Sequence, residues 1–217
     1  KFNGSQAVQL GESRKFDLSQ SFTISTWVKK LDVADSDQRV FTFHRKNKAS
    51  SALSLGFKKD KVKLNYQNSD DQSMTFDLES EYADNKWHQF VLVNDQEFIK
   101  VYVDGVLLFK LKDKLEGVTG MHQAHIGSFT GIQKGLQGQI DEFAFFQTAF
   151  LDSDVTELFD TGVAYDLRDH SKSQFLKHWY RFGDSASDNS SMIEDVAGAQ
   201  NAVPFNITES DFSNDSP

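Results

Sequence analysis

Clustered carboxylates are the first residues of this chain that could carry out acid–base chemistry. Asp77, Glu79 and Glu81 alternate along one short segment. Glycoside hydrolysis uses two carboxyl groups held about 5–5.5 Å apart in its retaining form. This segment precedes a strand pattern instead of lying in one, which favours a solvated acidic loop. We interpret Glu142, in the Asp141–Glu142 pair, as a structural strand residue and not as an acid catalyst. We therefore do not expect an enzyme.

Two histidines have a spacing that could hold a transition metal. His122 and His125 are three residues apart, but no third ligand can be placed from the sequence. The chain also lacks a glycine-rich phosphate loop and a serine nucleophile elbow. We interpret the two histidines as ordinary polar residues of a loop and a strand.

Residues suited to sugar binding occur near the middle of the chain. A sugar ring has C–H faces and hydroxyl edges, so its sites combine an aromatic surface with planar polar side chains. Tyr66, Asn68 and Asp70 supply that mixture. Arg45 opens the short basic run of residues 45–48, which could meet an acidic glycan. The alternative is that both segments are ordinary solvated hairpin ends.

Alternating apolar and polar residues predict strands over the first two thirds of the chain. The strongest pair is Trp87–Val93 and Phe98–Val103, and Asp104–Gly105 then predicts a two-residue hairpin turn. Asp152–Gly162 is the one clear helix, with acidic residues at its start. We expect an all-β fold, a two-sheet antiparallel β-sandwich with one short helix at its end.

Composition narrows the classes of function. The chain has 217 residues, no cysteine, 20 phenylalanines and a net charge of −9. No cysteine means no disulfide or thiolate chemistry, and the acidity argues against nucleic-acid binding and docking on anionic membranes. No apolar run is long enough to insert into a membrane. Residues 182–217 contain seven acids and no Lys or Arg, yet their apolar residues indicate that they fold.

Several strand segments together resemble one family. In chain order these are Lys1–Val8, Phe22–Lys29, Lys86–Val93, Ile99–Gly105, Ile126–Gly127 and Gly138–Phe146. They are similar to the strands of laminin G-like domains, which are concanavalin A-like jelly rolls. The resemblance covers residues 1–162. The three tryptophans lie within strand motifs, so we expect them in the core and not as sugar platforms: Trp27, Trp87 and Trp179.

The end of the chain carries a second resemblance. Leu176–Asp184 and Ile193–Ala202 resemble the segment that usually opens such a domain, and here they follow the helix. We expect one domain over residues 1–217, in which residues 1–162 form the main sandwich and 172–217 fold back to complete it. The alternative is that this segment opens a second, truncated repeat.

The resemblance also implies a ligand and a setting. Many such domains hold a structural calcium ion, which here would use Asp141, with Asn3 and Gly4 nearby; Asn3 replaces the more usual Asp and removes one charge. The implied function is a non-catalytic recognition or adhesion module that binds carbohydrate or a protein surface. Its expected location is extracellular, on a cell or on a virion. The alternatives are a structural or decoration protein of a virion or filament, packed against neighbouring copies, and an accessory carbohydrate-binding domain of a polysaccharide-degrading enzyme.

Overall fold

The structure is a computed structural model of the chain. It describes residues 1–10, 16–31, 36–45, 51–59, 61–68, 70, 72–78, 81–115, 122–160 and 162–217. For residues 44, 45, 51 and 122 only the backbone is described.

The described residues form fourteen strands and one α-helix. In chain order these are β1 Phe2–Asn3, β2 Ala7–Leu10, β3 Phe22–Lys30, β4 Asp37–Arg45, β5 Ser51–Lys58, β6 Lys61–Gln67, β7 Ser73–Leu78, β8 Trp87–Asn94, β9 Phe98–Val103, β10 Val106–Lys112, β11 His122–Ile126, β12 Gln137–Phe146, α1 Asp152–Phe159, β13 Leu176–Tyr180 and β14 Val203–Phe205. Short 3-10 helices cover Ser173–Phe175 and Glu209–Asp211.

Two antiparallel sheets form a sandwich, which confirms the predicted fold class. Sheet A has the order β1-β12-β3-β8-β9-β10, and β13 also pairs with β12. Sheet B has the order β14-β2-β11-β4-β5-β6-β7. Large apolar side chains from both sheets fill the space between them, as when Phe57 of sheet B meets Phe90 of sheet A edge-on at 5.6 Å.

The hairpin predicted at Asp104–Gly105 is confirmed. Both residues have positive φ, 51° and 75°. A two-residue hairpin turn needs positive φ at both positions if its twist is to match that of the flanking strands. The turn joins β9 to β10, which pair antiparallel from Val103 and Val106 outward.

The helix lies elsewhere than predicted. Instead of closing one end of the sandwich, α1 packs its buried Val155 and Leu158 against the outer face of sheet A. That face is apolar because β8 contributes Val91 and Val93 to it, while the alternating Phe90 and Leu92 point to the inner core. A continuous apolar run, as in β8, indicates a strand that is buried on both faces. The outer face of sheet A therefore needs a covering element, which is α1.

The segment after the helix adds one strand to each sheet. Tyr180 pairs with Phe143 at the edge of sheet A, and Val203 pairs with Gln9 at the edge of sheet B. Trp179 and Tyr180 are buried. Among the described residues, no helix is both long enough and apolar enough to cross a membrane.

Candidate functional site

The three residues predicted to bind calcium are not brought together. Asn3 pairs with Gln137, and Asp141 is four residues farther along the same strand. At about 3.3 Å per residue, roughly 13 Å separates the two positions along β12. Calcium ligands lie 2.3–2.6 Å from the ion, so Asn3 and Asp141 cannot share one.

Local hydrogen bonds also occupy Asn3 and Gly4. The Asn3 Oδ1 atom accepts hydrogen bonds from the backbone N–H and the hydroxyl of Ser5, at 3.1 and 2.5 Å. Gly4 has a φ of 91°, and its N–H donates to the Leu136 carbonyl at 2.8 Å. These groups shape a turn, and they do not fit a calcium ion shared with Asp141.

Asp141 instead forms part of a buried acidic pair. Its Oδ1 accepts the Glu142 N–H at 2.8 Å. Burial, and then the charge of Glu142, raise the pKa of Asp141 to about 8. Burial also raises the pKa of Glu142, although Arg181 and the Trp179 indole N–H bind its carboxylate. Asp141 lines a cavity of about 30 Å³, enough for roughly one water molecule and too small for a sugar ring.

Tyr66 is a core residue and not a surface for a sugar, which corrects the sequence-based interpretation. Its exposed fraction is 1%, and its ring stacks on Phe76 with centroids 6.1 Å apart. Its hydroxyl donates to Asp113 Oδ2 at 2.6 Å. Tyr66 lies on the inner face of β6, so the alternation that defines the strand places it in the core.

Asn68 closes the turn between β6 and β7. Its Oδ1 accepts the N–H groups of Asp70 and Gln72 at 3.1 and 2.9 Å, so the side chain is used within the turn. Asp70 is exposed. Arg45 lies at the end of β4, and its side chain is outside the described residues. These residues therefore do not form a site in the structure as described.

The carboxylates and histidines considered from the sequence do not form a catalytic or metal site among the described residues either. Asp77 and Glu81 are exposed, and Glu79 lies outside the described residues. His125 is buried, and the His122 side chain is not described. Within the described part of the chain, no group of three or more His, Asp or Glu side chains is placed to hold a metal ion.

A row of polar residues crosses sheet B on the face away from the core. The register aligns Gln9, His125, Thr42, Ser54, Asn65 and Thr75. Asn65 donates to Ser54 Oγ at 3.3 Å and accepts from Thr75 Oγ1 at 3.0 Å. Because Thr42 and Ser54 are fully buried, the centre of this row is closed to a ligand.

An open groove of about 370 Å³ lies beside β13, and we call it the β13 groove. Its volume is within the range of small-ligand sites. It is lined by Arg168, Ser173, Gln174, Leu176, Trp179, Val196 and Ala197. Sequence reasoning missed it, although the segments that form its far wall, Leu176–Asp184 and Ile193–Ala202, were the ones that resembled a family motif.

One buried carboxylate ties β13 to the segment at residues 195–198, and both segments line the β13 groove. Asp195 accepts hydrogen bonds from the N–H groups of Trp179 and Gly198, both at 2.9 Å, and pairs with His178 Nδ1 at 2.7 Å. Burial alone would raise the pKa of Asp195, but the His178 and N–H hydrogen bonds outweigh it and lower that pKa. The Val196 N–H donates to the Trp179 carbonyl at 2.8 Å, which fixes the chain beside β13.

The surface of the β13 groove mixes apolar and polar groups. Val196 is 38% exposed, and Leu176 is half-buried beside it. Exposed Gln174 and Arg168 add an amide and a guanidinium, and both Arg168 Nε and Nη2 donate to Asp166. Since Asp166 neutralises Arg168, the groove suits a neutral ligand with hydroxyl groups better than a charged one.

The comparisons with known proteins agree with this fold. Residues 2–156 match the Laminin_G_3 family model, described as the concanavalin A-like lectin/glucanases superfamily. The chain is 25% identical over 192 residues to "Putative botulinum-like toxin Wo" of Weissella oryzae, a match that covers 86% of the chain and 14% of that protein.

Two solved structures share the fold at low sequence identity. A "putative carbohydrate binding protein" from Bacteroides ovatus superposes with a TM-score of 0.72 at 16% identity, over 95% of this chain and 57% of that one. The binding domain of botulinum neurotoxin DC, solved with rat synaptotagmin II, gives 0.53 at 15% identity, over 85% of this chain and 48% of that one. The chain thus spans about half of each of these structures and about a seventh of the curated relative. With its strand pattern, sandwich and family match in agreement over most of its length, the chain belongs to the Laminin_G_3 family of concanavalin A-like domains.

Proposed function

We propose that this chain is a non-catalytic carbohydrate-binding module of an extracellular or surface-displayed protein, and that it binds a neutral sugar in the β13 groove. The observation that carries the proposal is the composition of the groove. Val196 and Leu176 offer an apolar surface to the C–H face of a sugar ring. Ser173, Gln174 and Arg168 offer donors and acceptors to its hydroxyl groups.

Two further points support this proposal. None of the described residues that line the β13 groove is Asp or Glu, whereas glycoside hydrolysis uses two carboxyl groups. The Bacteroides ovatus protein with the same fold is described as carbohydrate-binding, and the neurotoxin domain is described as a binding domain. A binding role without catalysis is consistent with both points.

A glycan array of neutral oligosaccharides, followed by calorimetry on the best ligand, tests the proposal. We expect Gln174→Ala and Val196→Asp each to weaken binding about tenfold, since each removes a contact worth about 1–1.5 kcal/mol. Gln133→Ala and Val106→Asp are matched controls, because both residues are exposed and neither lines the β13 groove. Equal losses in controls and groove variants, or no bound glycan, would refute the proposal.

One observation favours a second function, a module that decorates an assembly of its own copies. Strand β10 is an edge of sheet A, and its Val106 and Leu107 are 69% and 43% exposed. Exposed apolar edge strands can pair with a neighbouring chain. Analytical ultracentrifugation over a range of concentrations would show this as self-association that Val106→Asp abolishes, whereas a purely lectin-like module would stay monomeric.

A further inference from the structure

A cluster of cations surrounds a single carboxylate on sheet B. Asp37 Oδ1 lies 2.9 Å from Lys63 Nζ, and Asp37 Oδ2 lies 3.2 Å from Lys134 Nζ and 3.6 Å from Arg39 Nη2. We call these four residues the Asp37 cluster. The four side chains of the cluster carry three positive charges and one negative charge, although the whole chain carries −9.

The strand register adds two charged residues to this surface. Asp37 pairs with Lys58, and Lys63 pairs with Asp77, so the exposed Lys58 adds one positive charge and the exposed Asp77 one negative charge. The side chains between these positions, such as Phe57 and Val62, belong to the core. Because side chains alternate between the faces of a strand, the Asp37 cluster and Lys58 lie on the outer face of sheet B.

Arg39 is the member of the Asp37 cluster whose bonding is incomplete. Only 3% of the residue is exposed, and its Nε–H has no hydrogen-bond partner among the residues that the structure describes. One other N–H reaches the Gln38 carbonyl at 3.4 Å. A guanidinium has five N–H donors, and a buried donor left unpaired is costly. Asp37, shared with two lysines, does not satisfy this group.

One more buried polar atom, on a segment that is hydrogen-bonded to β4, lacks a partner within the described chain. Ser128 Oγ belongs to the residue after Gly127, whose N–H donates to the Val40 carbonyl at 2.7 Å. An unpaired N–H beside several positive charges, as at Arg39, is a group that an oxyanion would satisfy.

We infer that the Asp37 cluster is a second ligand site, and that it binds a sulfate or carboxylate group carried on a glycan. That the ligand is a glycan rests on the proposed function. That the ligand carries a negative charge rests on the Asp37 cluster alone. The Lys63 and Lys134 side chains are 13% and 41% exposed, so an anion can reach both from solvent, with Arg39 behind them. An extended polyanion such as a nucleic acid is disfavoured, because the rest of the molecule repels it.

Titration by two-dimensional NMR with four probes tests the site: galactose, galacturonate, galactose 6-sulfate and inorganic sulfate. We expect the two acidic sugars to bind more tightly than galactose. Lys134→Glu should weaken their binding at least tenfold, since it removes a charge-assisted contact. Lys112→Glu is the control, because Lys112 is equally a surface lysine with one acidic partner, Glu97, at 3.3 Å. Equal effects of Lys134→Glu and Lys112→Glu would overturn the inference.

Asp37→Asn separates a binding site from a structural ion cluster. The variant removes the internal carboxylate that competes with the ligand, so galactose 6-sulfate should bind more tightly than to the parent protein. Inorganic sulfate should also raise the Tm of Asp37→Asn more than that of Asp95→Asn, which removes a single lysine partner at 3.0 Å elsewhere. A purely structural cluster would show destabilisation without this gain, and that result would overturn the inference.

The four probes also separate this inference from the proposed function. If galactose binds and the acidic sugars bind no better, the Asp37 cluster is not a ligand site and the β13 groove is unaffected. If Lys134→Glu weakens the binding of inorganic sulfate but no sugar binds to the parent protein, the ligand of the Asp37 cluster is not a glycan. The proposed function is then wrong as well. If the acidic sugars bind equally tightly to Gln174→Ala and to the parent protein, their site is separate from the β13 groove, as we infer.

Discussion

At the scale of single residues, the imidazole of His88 is held between two carboxylates. His88 Nδ1 lies 2.6 Å from Asp104 Oδ2, and Nε2 lies 3.0 Å from Asp84 Oδ1. The hydrogen bond to Asp104, and then that to Asp84, raise the pKa of His88 above its ordinary value in spite of burial. Since Asp104 is in the β9–β10 turn, this ion pair ties the hairpin to β8.

The His88 pairing makes stability depend on pH. Below the ordinary pKa of about 6.5, His88 is protonated in both the folded and the unfolded chain, and the ion pairs contribute fully. As the pH rises through the raised folded-state pKa, that contribution is lost. Urea unfolding should therefore show a larger advantage of the parent over His88→Gln at pH 6 than at pH 9. Lys86→Gln, which removes an exposed partner of Asp84, should show no such change; a pH-independent His88→Gln difference would contradict the prediction.

Two glycines with positive φ show what the family motif at Ile126–Gly127 requires. A Cβ on Gly127 would lie 2.2 Å from a ring carbon of Phe2, whereas a Cβ on Gly131 would meet no atom within 4 Å. Gly131→Ala should cost only the strain of positive φ, about 1 kcal/mol. Gly127→Ala should cost a further ~1–3 kcal/mol from overpacking. Chemical denaturation of both variants measures the difference, and equal costs would show that Phe2 moves freely aside.

At the scale of elements, we propose that residues 172–217 are an integral part of the domain. Two contacts support this. β13 occupies the edge of β12, and Asp215 binds Lys29 Nζ at 2.7 Å and the Trp87 indole N–H at 3.2 Å. Deletion of residues 172–217 should therefore abolish cooperative unfolding, because it removes Trp179 and Tyr180 from the core and exposes an edge strand.

Truncation after Asp215 is the matched control for that deletion. It removes only Ser216 and Pro217 and keeps both Asp215 contacts, so its Tm should equal that of the parent. If the chain lacking residues 172–217 melted cooperatively near the parent temperature, the segment would belong to a separate repeat, as the alternative interpretation of the sequence holds.

Strands were more predictable than the layer that covers them. The strand at Phe22–Val28 and the turn at Asp104–Gly105 are determined by residues that are adjacent in the chain, so the sequence alone locates both. The position of α1 depends on which sheet face lacks a cover. Val91 and Val93 carry that information, but only once Phe90 and Leu92 are assigned to the inner core. Tyr66 was misinterpreted because its position on the inner face of β6 was not assigned. Its aromatic ring and hydroxyl suit a sugar, but that face of the strand belongs to the core.

At the scale of the whole molecule, both proposed sites are built from residues that are distant in the sequence. Asp37, Lys63 and Lys134 come from β4, β6 and the chain before β12. The β13 groove joins Arg168 to Val196 across β13. No local motif marks the Asp37 cluster, and the family motif beside the β13 groove does not include its polar residues Arg168, Ser173 and Gln174, since only the folded chain brings these residues together. The one basic run visible in the sequence, from Arg45, contains no residue of the Asp37 cluster, and its side chains lie outside the described residues.

The calcium prediction also belongs to the whole molecule, because it requires β1 and β12 to meet in a particular register. The observed register separates Asn3 from Asp141, so we expect no calcium-dependent stability. A site filled at 100 times its Kd would add about 2.7 kcal/mol, which for a domain of this size raises Tm by roughly 5–10 °C. Differential scanning calorimetry in 5 mM calcium and in EDTA should give the same Tm. A rise in calcium that Asp141→Asn removes would instead show that Asp141 is a ligand with partners other than Asn3.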